Sequence, residues 1–139
     1  MKKDEFNFWQ DHSSNYLEMA FRTDHTGIVE KPDGRGRKTG DCGDTVEIFL
    51  SVEKDRIKHL SFVVEGCRNT QACANTVAYL AEGKETEDAW EITPEDIVQF
   101  LETLPQENHH CAELAVGAFY LSLSNYHENK RSGWKKLYR

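Results

Sequence analysis

The sequence lacks a long hydrophobic run. None of its 139 residues fall in a stretch that approaches the roughly 18 consecutive apolar residues of a membrane-spanning helix, so we expect no membrane segment. The chain begins Met1-Lys2-Lys3 and continues with Asp4 and Glu5, and no apolar signal core follows these charges. We therefore expect a cytoplasmic protein, and the length suits a single domain over residues 1–139 with one hydrophobic core.

Positive charge is also in short supply. The chain has 17 Lys and Arg against 24 Asp and Glu, a net charge of −7 at neutral pH. A general nucleic-acid binder needs a basic face that displaces counterions from phosphates, so we expect no nucleic-acid partner. Basic residues are dense in the C-terminal segment 128–139, which we interpret as a solvated tail, with docking to an acidic partner protein as the alternative.

Closely spaced cysteine pairs are absent as well. The spacing from Cys42 to Cys67 is 25 positions and from Cys67 to Cys111 is 44 positions. These spacings match neither the paired CxxC motifs of a zinc finger nor the clustered cysteines of a ferredoxin. Disulfides are not expected in a reducing cytoplasm. Metal binding, thiol chemistry and simple burial remain as roles for the cysteines.

The hydrophobic pattern that is present predicts an α+β fold. Residues 45–52 and 56–65 alternate apolar and polar side chains, which indicates an antiparallel hairpin with one buried face. Residues 22–43 are interpreted as a loop that holds a short strand near 26–30. A helical pattern occupies residues 5–21 with Asp4 as cap, and a second runs from the cap Asn69 to about Glu82, where Gly83 stops it. A third helix starts at Thr93-Pro94-Glu95-Asp96 with Thr93 as cap and ends near Leu104-Pro105, and the last helix begins near Asn108. We predict a small three-stranded antiparallel sheet with helices packed on one face.

Three cysteines stand where one predicted element gives way to the next. Cys42 precedes the first hairpin strand, Cys67 follows Gly66 just before a helix, and Cys111 is in the first turn of the last helix. Free N–H groups at a helix N-terminus lower the pKa of a thiol, which favours the thiolate that binds metals. Asp44 and His110 add an oxygen and a nitrogen ligand next to these cysteines. The pattern predicts a metal or thiol-chemistry site.

The remaining cysteine and histidines are predicted to have structural positions and no part in the site. Cys73 forms an i, i+4, i+7 stripe with Val77 and Leu80, which predicts a buried helix position, and a role as fourth ligand or resolving thiol is the alternative. His109 is expected to face solvent. The other histidines stand in no motif and are expected to be solvated: His12, His25, His59 and His127.

The glycine-rich segment 34–40 has a superficial likeness to a phosphate-binding loop. Arg37 stands where that motif requires a glycine before the lysine, and no strong strand precedes the segment. We therefore reject nucleotide binding and expect a mobile flap or a partner contact near Cys42.

Three motifs together resemble one protein family. Cys42-Gly43-Asp44 before a strand, Gly66-Cys67 before a helix, and His110-Cys111 followed by Leu114-Ala115 resemble the U-type iron–sulfur scaffold proteins, IscU and the N-terminal domain of NifU. The likeness covers roughly residues 16–127. It implies the α+β fold predicted above. It also implies that a cysteine desulfurase delivers sulfur as a persulfide, that iron enters, and that a transient [2Fe–2S] cluster forms and passes to apo iron–sulfur proteins.

The resemblance also implies roles for particular residues. Cys42, Cys67 and Cys111 would hold the cluster, Asp44 would keep it labile, and His110 would be an alternate ligand. Cys111 would be the first persulfide acceptor. Zinc would occupy the same residues when iron is absent. The protein would then be a scaffold and carrier, not an enzyme.

The sequence departs from the family at the segment Leu104-Pro105-Gln106-Glu107-Asn108. Family members carry Leu-Pro-Pro-Val-Lys here, which a dedicated Hsp70 chaperone grips, so the resemblance does not extend to that chaperone partner. A second departure is the polar run 68–75, where family members are rich in Gly, Ser and Ala.

Two other functional classes stay open. One is a zinc-bound sulfur acceptor or sulfurtransferase in which Cys111 shuttles a persulfide. The other is a hydrolase with a nucleophilic cysteine and a histidine base, which the adjacency of His110 and Cys111 within one helical turn disfavours.

Overall fold

Helices cover one face of a three-stranded sheet in the computed structural model, which describes residues 11–137. In chain order the elements are helix α1 (Ser14–Phe21), strands β1 (Gly34–Thr39), β2 (Thr45–Glu53) and β3 (Arg56–Glu65), helices α2 (Arg68–Ala81), α3 (Thr86–Ala89) and α4 (Pro94–Leu101), a 3-10 turn (Gln106–Asn108) and helix α5 (His109–Leu137). No helix within these residues is both long enough and apolar enough to span a membrane.

The sheet is antiparallel throughout, in the order β1-β2-β3. The predicted β2–β3 hairpin is confirmed. Lys54 and Asp55 close it with φ of 55° and 60°, the left-handed pair of a tight two-residue hairpin turn. The predicted α+β class, with helices on one face of a three-stranded sheet, is therefore correct.

The third strand is not where the sequence placed it. Residues 26–30 contribute only an isolated bridge between Thr26 and Phe62, whereas Gly34–Thr39 pairs with β2 along its whole length. The glycine-rich segment is thus an edge strand and not a mobile flap. The segment shows no alternation of apolar side chains because its inward-facing positions are glycines, on which a helix packs directly.

That helix is α5, which lies directly on the backbone of β1. A Cβ atom added to Gly36 would run into the backbone at Ala118 and Ser122, and one added to Gly34 would meet Ser122 and Tyr126. Only glycine permits so close an approach between a strand and a helix. The two glycines therefore set the distance between sheet and helix.

The core lies between the sheet and α1, α2, α4 and α5. Paired strand residues with no exposed surface point into it, and they meet small and aromatic side chains of the helices: Ile48, Leu50, Leu60, Phe62, Ala74, Val77, Ala115 and Phe119. Burial of this apolar surface is the main stabilising term.

The opposite face of the sheet is also partly covered. Phe49 and Ser61 point to that face and are only 2% and 5% exposed. The chain leaves the free edge of β3, where Phe62 donates its N–H to the carbonyl of His25 at 2.9 Å, and reaches β1 at the other edge through residues 28–33. Phe49 is therefore buried although it falls on the polar side of the predicted alternation.

The N-terminal helix predicted over 5–21 is present at 14–21 and is interrupted at residues 12 and 13, whereas its residues 5–10, like its cap Asp4, lie outside the described residues. Helix α1 begins only at Ser14, because the Ser13 side chain accepts a hydrogen bond from the N–H of Tyr16 at 3.0 Å and caps it. His12 and the N–H of Ser13 bond instead to the hydroxyl of Thr103, at 2.7 and 3.0 Å. These tertiary contacts interrupt the helix.

The basic segment predicted over 128–139 is helical as far as Leu137, because α5 continues to that residue, and the side chains described in it, 128–132, are exposed as expected of a solvated segment. Two polar contacts attach this part of the helix to the sheet end of the molecule. Lys130 Nζ lies 2.6 Å from Asp55 Oδ1, and Asn129 donates to the carbonyl of Asp33 at 3.3 Å. Residues 138 and 139 lie outside the described part.

Other helix ends follow the sequence signals. Thr93 and Asp96 form the expected capping box at the start of α4, with Pro94 in the first turn. Gly83, with φ of +90°, follows α2 as predicted. Helix α4 ends at Leu101, before the predicted end at Leu104-Pro105, because Glu102 takes φ of +64°.

We predict that Gly36→Ala lowers the free energy of unfolding by about 1–3 kcal/mol, because the added methyl group must push α5 off β1. Urea denaturation followed by circular dichroism measures the change. The matched control is Arg37→Ala, an exposed neighbour in the same strand, which should change stability by less than about 0.5 kcal/mol. Equal stability of the two variants would contradict the close packing described here.

Candidate metal and cluster site

The turn between β1 and β2 presents Cys42 and Asp44. Thr39 and Thr45 form the last pair of the two strands, and the N–H of Gly40 donates to the carbonyl of Asp44 at 2.9 Å. Gly43 takes φ of +92°, a left-handed conformation that favours glycine. This conformation reverses the chain, so that one turn supplies both a thiol and a carboxylate.

Gly66 and Cys67 end β3 and start α2. A Cβ atom on Gly66 would lie 2.6 Å from Asp44 Oδ2, so the glycine makes room for the carboxylate. Cys67 is itself the N-cap of α2, and its carbonyl accepts from the N–H of Gln71 at 3.1 Å. The predicted cap Asn69 lies inside the helix, where its Oδ1 accepts from the Tyr16 hydroxyl at 2.6 Å.

Cys111 lies in the first turn of α5, as predicted, and meets the other two groups. Ligand atoms of Asp44, Cys67 and Cys111 all lie within 4.8 Å of one another. A strand-connecting turn, the start of α2 and the start of α5 therefore deliver one oxygen and two sulfur ligands to one place. Cys67 is exposed and Cys111 is buried, so this group of three sits at the boundary between core and solvent.

Thr70 connects all three groups, a role that the sequence did not reveal. Its hydroxyl oxygen is 2.6 Å from Asp44 Oδ2, 3.4 Å from Cys111 Sγ and 3.5 Å from Cys67 Sγ. A carboxylate only accepts, so the Thr70 hydroxyl donates to Asp44 Oδ2, and the same hydroxyl lies within hydrogen-bond distance of both sulfurs. The only sequence signal was its spacing of three residues from Cys67, which places both on one face of α2.

His110 borders the group through a defined ring nitrogen. Its Nδ1 lies 2.9 Å from the carbonyl of Glu107, which can only accept, so Nδ1 carries the proton. Nε2, 3.7 Å from Cys111 Sγ, therefore holds the free lone pair. This nitrogen is placed to accept the Cys111 proton or to bind a metal, a contact that sequence adjacency did not predict.

Cys42 does not join the group of three. It lines a neighbouring surface pocket together with Lys38, Asp41, His110 and Glu113. His110 thus belongs to both places, because it lines this pocket and also contacts Cys111. The structure thus brings four of the five predicted site residues together: Asp44, Cys67, Cys111 and His110. The fifth, Cys42, lies in the neighbouring pocket that His110 also lines.

Electrostatics at Cys111 run opposite to the prediction from helix ends. Burial raises the pKa of the Cys111 thiol, and the nearby Cys67 and Asp44 act in the same direction, while hydrogen bonds from Thr70 and Asn108 only partly oppose them. Desolvation therefore outweighs the favourable position at a helix N-terminus. Cys111 is a protonated thiol at neutral pH until a cation or a base takes its proton.

Of the residues predicted to lie outside the site, Cys73 has the expected burial, whereas some of the histidines do not have the expected exposure. Cys73 has no exposed surface, as predicted, and burial raises the pKa of its thiol well above the ordinary value. His12 and His25, expected to be solvated, are only 7% and 5% exposed. His109 is half-buried where exposure was expected.

Comparison with known proteins agrees with this arrangement. The family model of the NifU-like N-terminal domain matches residues 12–132. The chain belongs to this family. The match includes every residue of the candidate site.

Similar proteins share both sequence and fold. The chain is 31% identical over 103 residues to the iron–sulfur cluster assembly scaffold protein IscU 1 of Archaeoglobus fulgidus, which covers 73% of this chain and 67% of that protein. It is 33% identical over 108 residues to iron sulfur cluster assembly protein 1 of Trachipleistophora hominis, covering 78% and 70%. The crystal structure of a NifU-like protein (N-terminal) from Brucella abortus matches with a TM-score of 0.69 at 16% identity, over 84% of this chain and 94% of that one.

We predict that Thr70→Val weakens Co²⁺ binding at the cysteine group about tenfold or more, because the group that orients Asp44 and both thiols is lost. The thiolate-to-cobalt charge-transfer band in the near ultraviolet reports this group selectively. Thr70→Ser should restore binding.

The matched control for this test is Thr76→Val. Thr76 is a buried threonine of the same helix whose hydroxyl donates only to the carbonyl of Ala72, at 2.8 Å. The Thr76→Val variant should bind Co²⁺ as the wild type does. Equal cobalt affinity of the Thr70→Val and Thr76→Val variants would disprove the role of Thr70.

We also predict an order of thiol reactivity in the metal-free protein. Cys42 and Cys67 are exposed, whereas Cys111 is buried with a raised pKa, so iodoacetamide should alkylate Cys111 at least about tenfold more slowly at pH 7.5. Because a raised pKa keeps the thiol protonated, its rate should still be rising above about pH 8.5, the ordinary pKa of a cysteine. Peptide mass spectrometry measures the rates. Urea should abolish the difference, and equal rates in the folded protein would contradict the prediction.

Proposed function

We propose that this protein is a scaffold on which an iron–sulfur cluster is assembled and from which the cluster is passed on. It would act as a carrier and not as an enzyme, with the whole chain working as one domain. The observation that carries the proposal is the convergence of Asp44, Cys67 and Cys111 from three separate elements at the edge of the core. Membership of the NifU-like family and similarity to assembly scaffold proteins support it.

The proposed ligands suit a cluster that is bound only transiently and then released. A [2Fe–2S] cluster takes four protein ligands, and we assign three of them to Cys42, Cys67 and Cys111. Asp44 is the proposed fourth ligand, with His110 as the alternate. Cys42 and Cys67 are exposed, so a cluster bound here would meet solvent and incoming thiols on one side. Cys42 would reach the group by a change in the Gly43 turn.

Sulfur delivery is the next step of the proposal, with a cysteine desulfurase as donor. The Cys111 thiolate would attack the outer sulfur of the desulfurase persulfide, breaking that sulfur–sulfur bond, forming a new one on Cys111 and releasing the desulfurase thiolate. His110 Nε2 is placed to take the Cys111 proton first. Cys111 is buried, so the 3-10 turn at Gln106–Asn108 and the His110 side chain would have to move aside.

The surroundings of the site fit a cytoplasmic scaffold. Its thiols are free, as a reducing compartment would keep them. Apo iron–sulfur proteins are the proposed recipients. A chaperone that grips an extended segment before His110 is not proposed, because Leu104 there is buried and the following residues form the 3-10 turn.

A second candidate is a zinc-bound sulfur acceptor. Two sulfurs, a carboxylate and the lone pair of His110 Nε2 form a mixed set of four ligands of the types that zinc binds. In this case zinc would order the site and Cys111 would carry a persulfide without building a cluster.

Reconstitution separates the two candidates. We expect anaerobic incubation with Fe²⁺, cysteine and a cysteine desulfurase to produce visible sulfide-to-iron charge-transfer bands. Asp44→Ala should hold the cluster longer, because a weak oxygen ligand no longer assists its release. The absence of these bands in both proteins would refute the scaffold, and persulfide formation without them would favour the zinc-bound acceptor.

Two further measurements complete that experiment. Cys73→Ser is the matched control, since Cys73 is buried in the core, and it should assemble the cluster as the wild type does. Alkylation and mass spectrometry of the iron-free reaction should locate the persulfide on Cys111. Sulfur found only on Cys42 or Cys67 would refute the proposed acceptor.

A further inference from the structure

A second group of metal-ligand side chains lies away from the cysteines. Ligand atoms of His25, His59 and Glu82 all lie within 4.8 Å of one another. His25 Nε2 is 3.0 Å from Glu82 Oε1, and His59 Nδ1 is 3.0 Å from Glu82 Oε2. Two imidazole nitrogens and a carboxylate are a common donor set for zinc in proteins.

Three different elements hold these side chains in place. His25 belongs to the segment after α1, where its carbonyl accepts from Phe62 N–H of β3 at 2.9 Å. His59 lies on β3. Glu82 follows the last turn of α2, and its Oε2 also accepts from Leu60 N–H at 2.9 Å. The group is therefore built by tertiary structure and anchored by backbone hydrogen bonds.

The His25 ring shows what the group lacks. Its side chain is 6% exposed, and its buried Nδ1 has no hydrogen-bond partner although Asp24 Oδ1 lies 3.4 Å away. In the neutral ring Nε2 must carry the hydrogen that points to Glu82, which leaves a lone pair on Nδ1 facing the carboxylate of Asp24. The buried Nδ1 then faces an acceptor and makes no hydrogen bond, which is unfavourable although the Asp24 side chain itself is 56% exposed.

A cation bound at Nε2 removes this conflict. The ring hydrogen then moves to Nδ1, where it points to Asp24, the carboxylate–histidine–metal arrangement that is usual around protein-bound zinc. Arg22 holds Asp24 in turn, at 2.6 Å. His59 changes tautomer in the same way and directs its Nε2 hydrogen to solvent, so no net proton release is needed.

We propose that His25 Nε2, His59 Nδ1 and the Glu82 carboxylate bind Zn²⁺, with water as the fourth ligand. The 3.0 Å spacings are close to the separation of about 3.3 Å between ligands of a tetrahedral ion with bonds near 2.0–2.1 Å. His59 is 46% exposed, which opens the site to an entering ion. The negative end of the α2 dipole, next to Glu82, also favours a cation.

This site is separate from the cysteine group. Cys67 precedes α2 and Glu82 follows it, and a helix of 14 residues spans about 21 Å. Bound zinc would fasten the crossing segment to β3 and to the end of α2. Its role is structural, and it does not depend on cluster assembly at the other end of the helix.

Calorimetric titration with Zn²⁺ tests the site by stoichiometry. The reduced wild type should bind one more equivalent than His59→Ala, or bind that equivalent at least tenfold more tightly. Glu82→Gln, which keeps an acceptor for Leu60 N–H but loses the charge, should show the same loss. Zinc should also shift the NMR signals of the His25 and His59 rings in the wild type.

The matched control is His127→Ala, an exposed histidine on α5, which should bind Zn²⁺ as the wild type does. Thermal unfolding in the presence of a chelator checks that each variant is folded. If His59→Ala does not fold, the zinc titration of Glu82→Gln decides whether the site exists. The proposal would be overturned if the wild type, His59→Ala and Glu82→Gln bound zinc with equal stoichiometry and affinity. The three side chains would then only hold the segment after α1, β3 and α2 together by hydrogen bonds. Failure of cluster assembly would not affect this result, because any zinc held by the cysteines is the same in the wild type and in each variant and cancels in the comparison.

Discussion

The contact between α5 and β1 at Gly34 and Gly36 fixes the geometry on which the candidate site depends. The helix backbone lies on the strand backbone with no side chain between them, so the helix has little freedom to slide or lift. Cys111 is seven residues before Ala118, the residue against Gly36, which is about 10 Å along a rigid helix. The same strand leads into the turn that carries Cys42 and Asp44. One backbone contact thus sets the position of both sides of the site.

The site brings together groups that repel one another once they ionise. Asp44, Cys67 and Cys111 would carry three negative charges within a few ångströms, and the burial of Cys111 adds a desolvation cost. Without a cation, the raised pKa of Cys111 keeps this thiol protonated, and the Thr70 hydroxyl donates to Asp44. A bound cation would reverse the balance, because it would neutralise the charges and displace the thiol protons. Metal loading at the proposed site would therefore be coupled to proton release at the cysteines.

Helix α2 joins two places of opposite electrostatic demand. Its N-terminus carries Cys67 as cap and Thr70 in the first turn, where two thiols and a carboxylate lie close together. Its C-terminal cap is Glu82, where two histidine side chains and the negative end of the dipole suit the proposed cation. Asn75, in the middle of the helix, donates to the carbonyls of Met19 and Arg22 and so holds the end of α1. The helix positions both groups because it is held along its length.

The amino-acid sequence by itself determined the local features. Alternation predicted the β2–β3 hairpin, and Thr93-Pro94 and Gly83 predicted helix ends. The three motifs around Cys42, Cys67 and Cys111 predicted the family, and the site residues that they indicate stay a prediction. It missed β1, because an edge strand covered by a helix backbone needs glycine and shows no apolar alternation. It missed Thr70 and the buried His25, because a lone threonine or histidine carries no signal until another element packs against it. Local hydrogen bonding and periodicity decide where elements begin and end, and only long-range packing decides which of those ends meet.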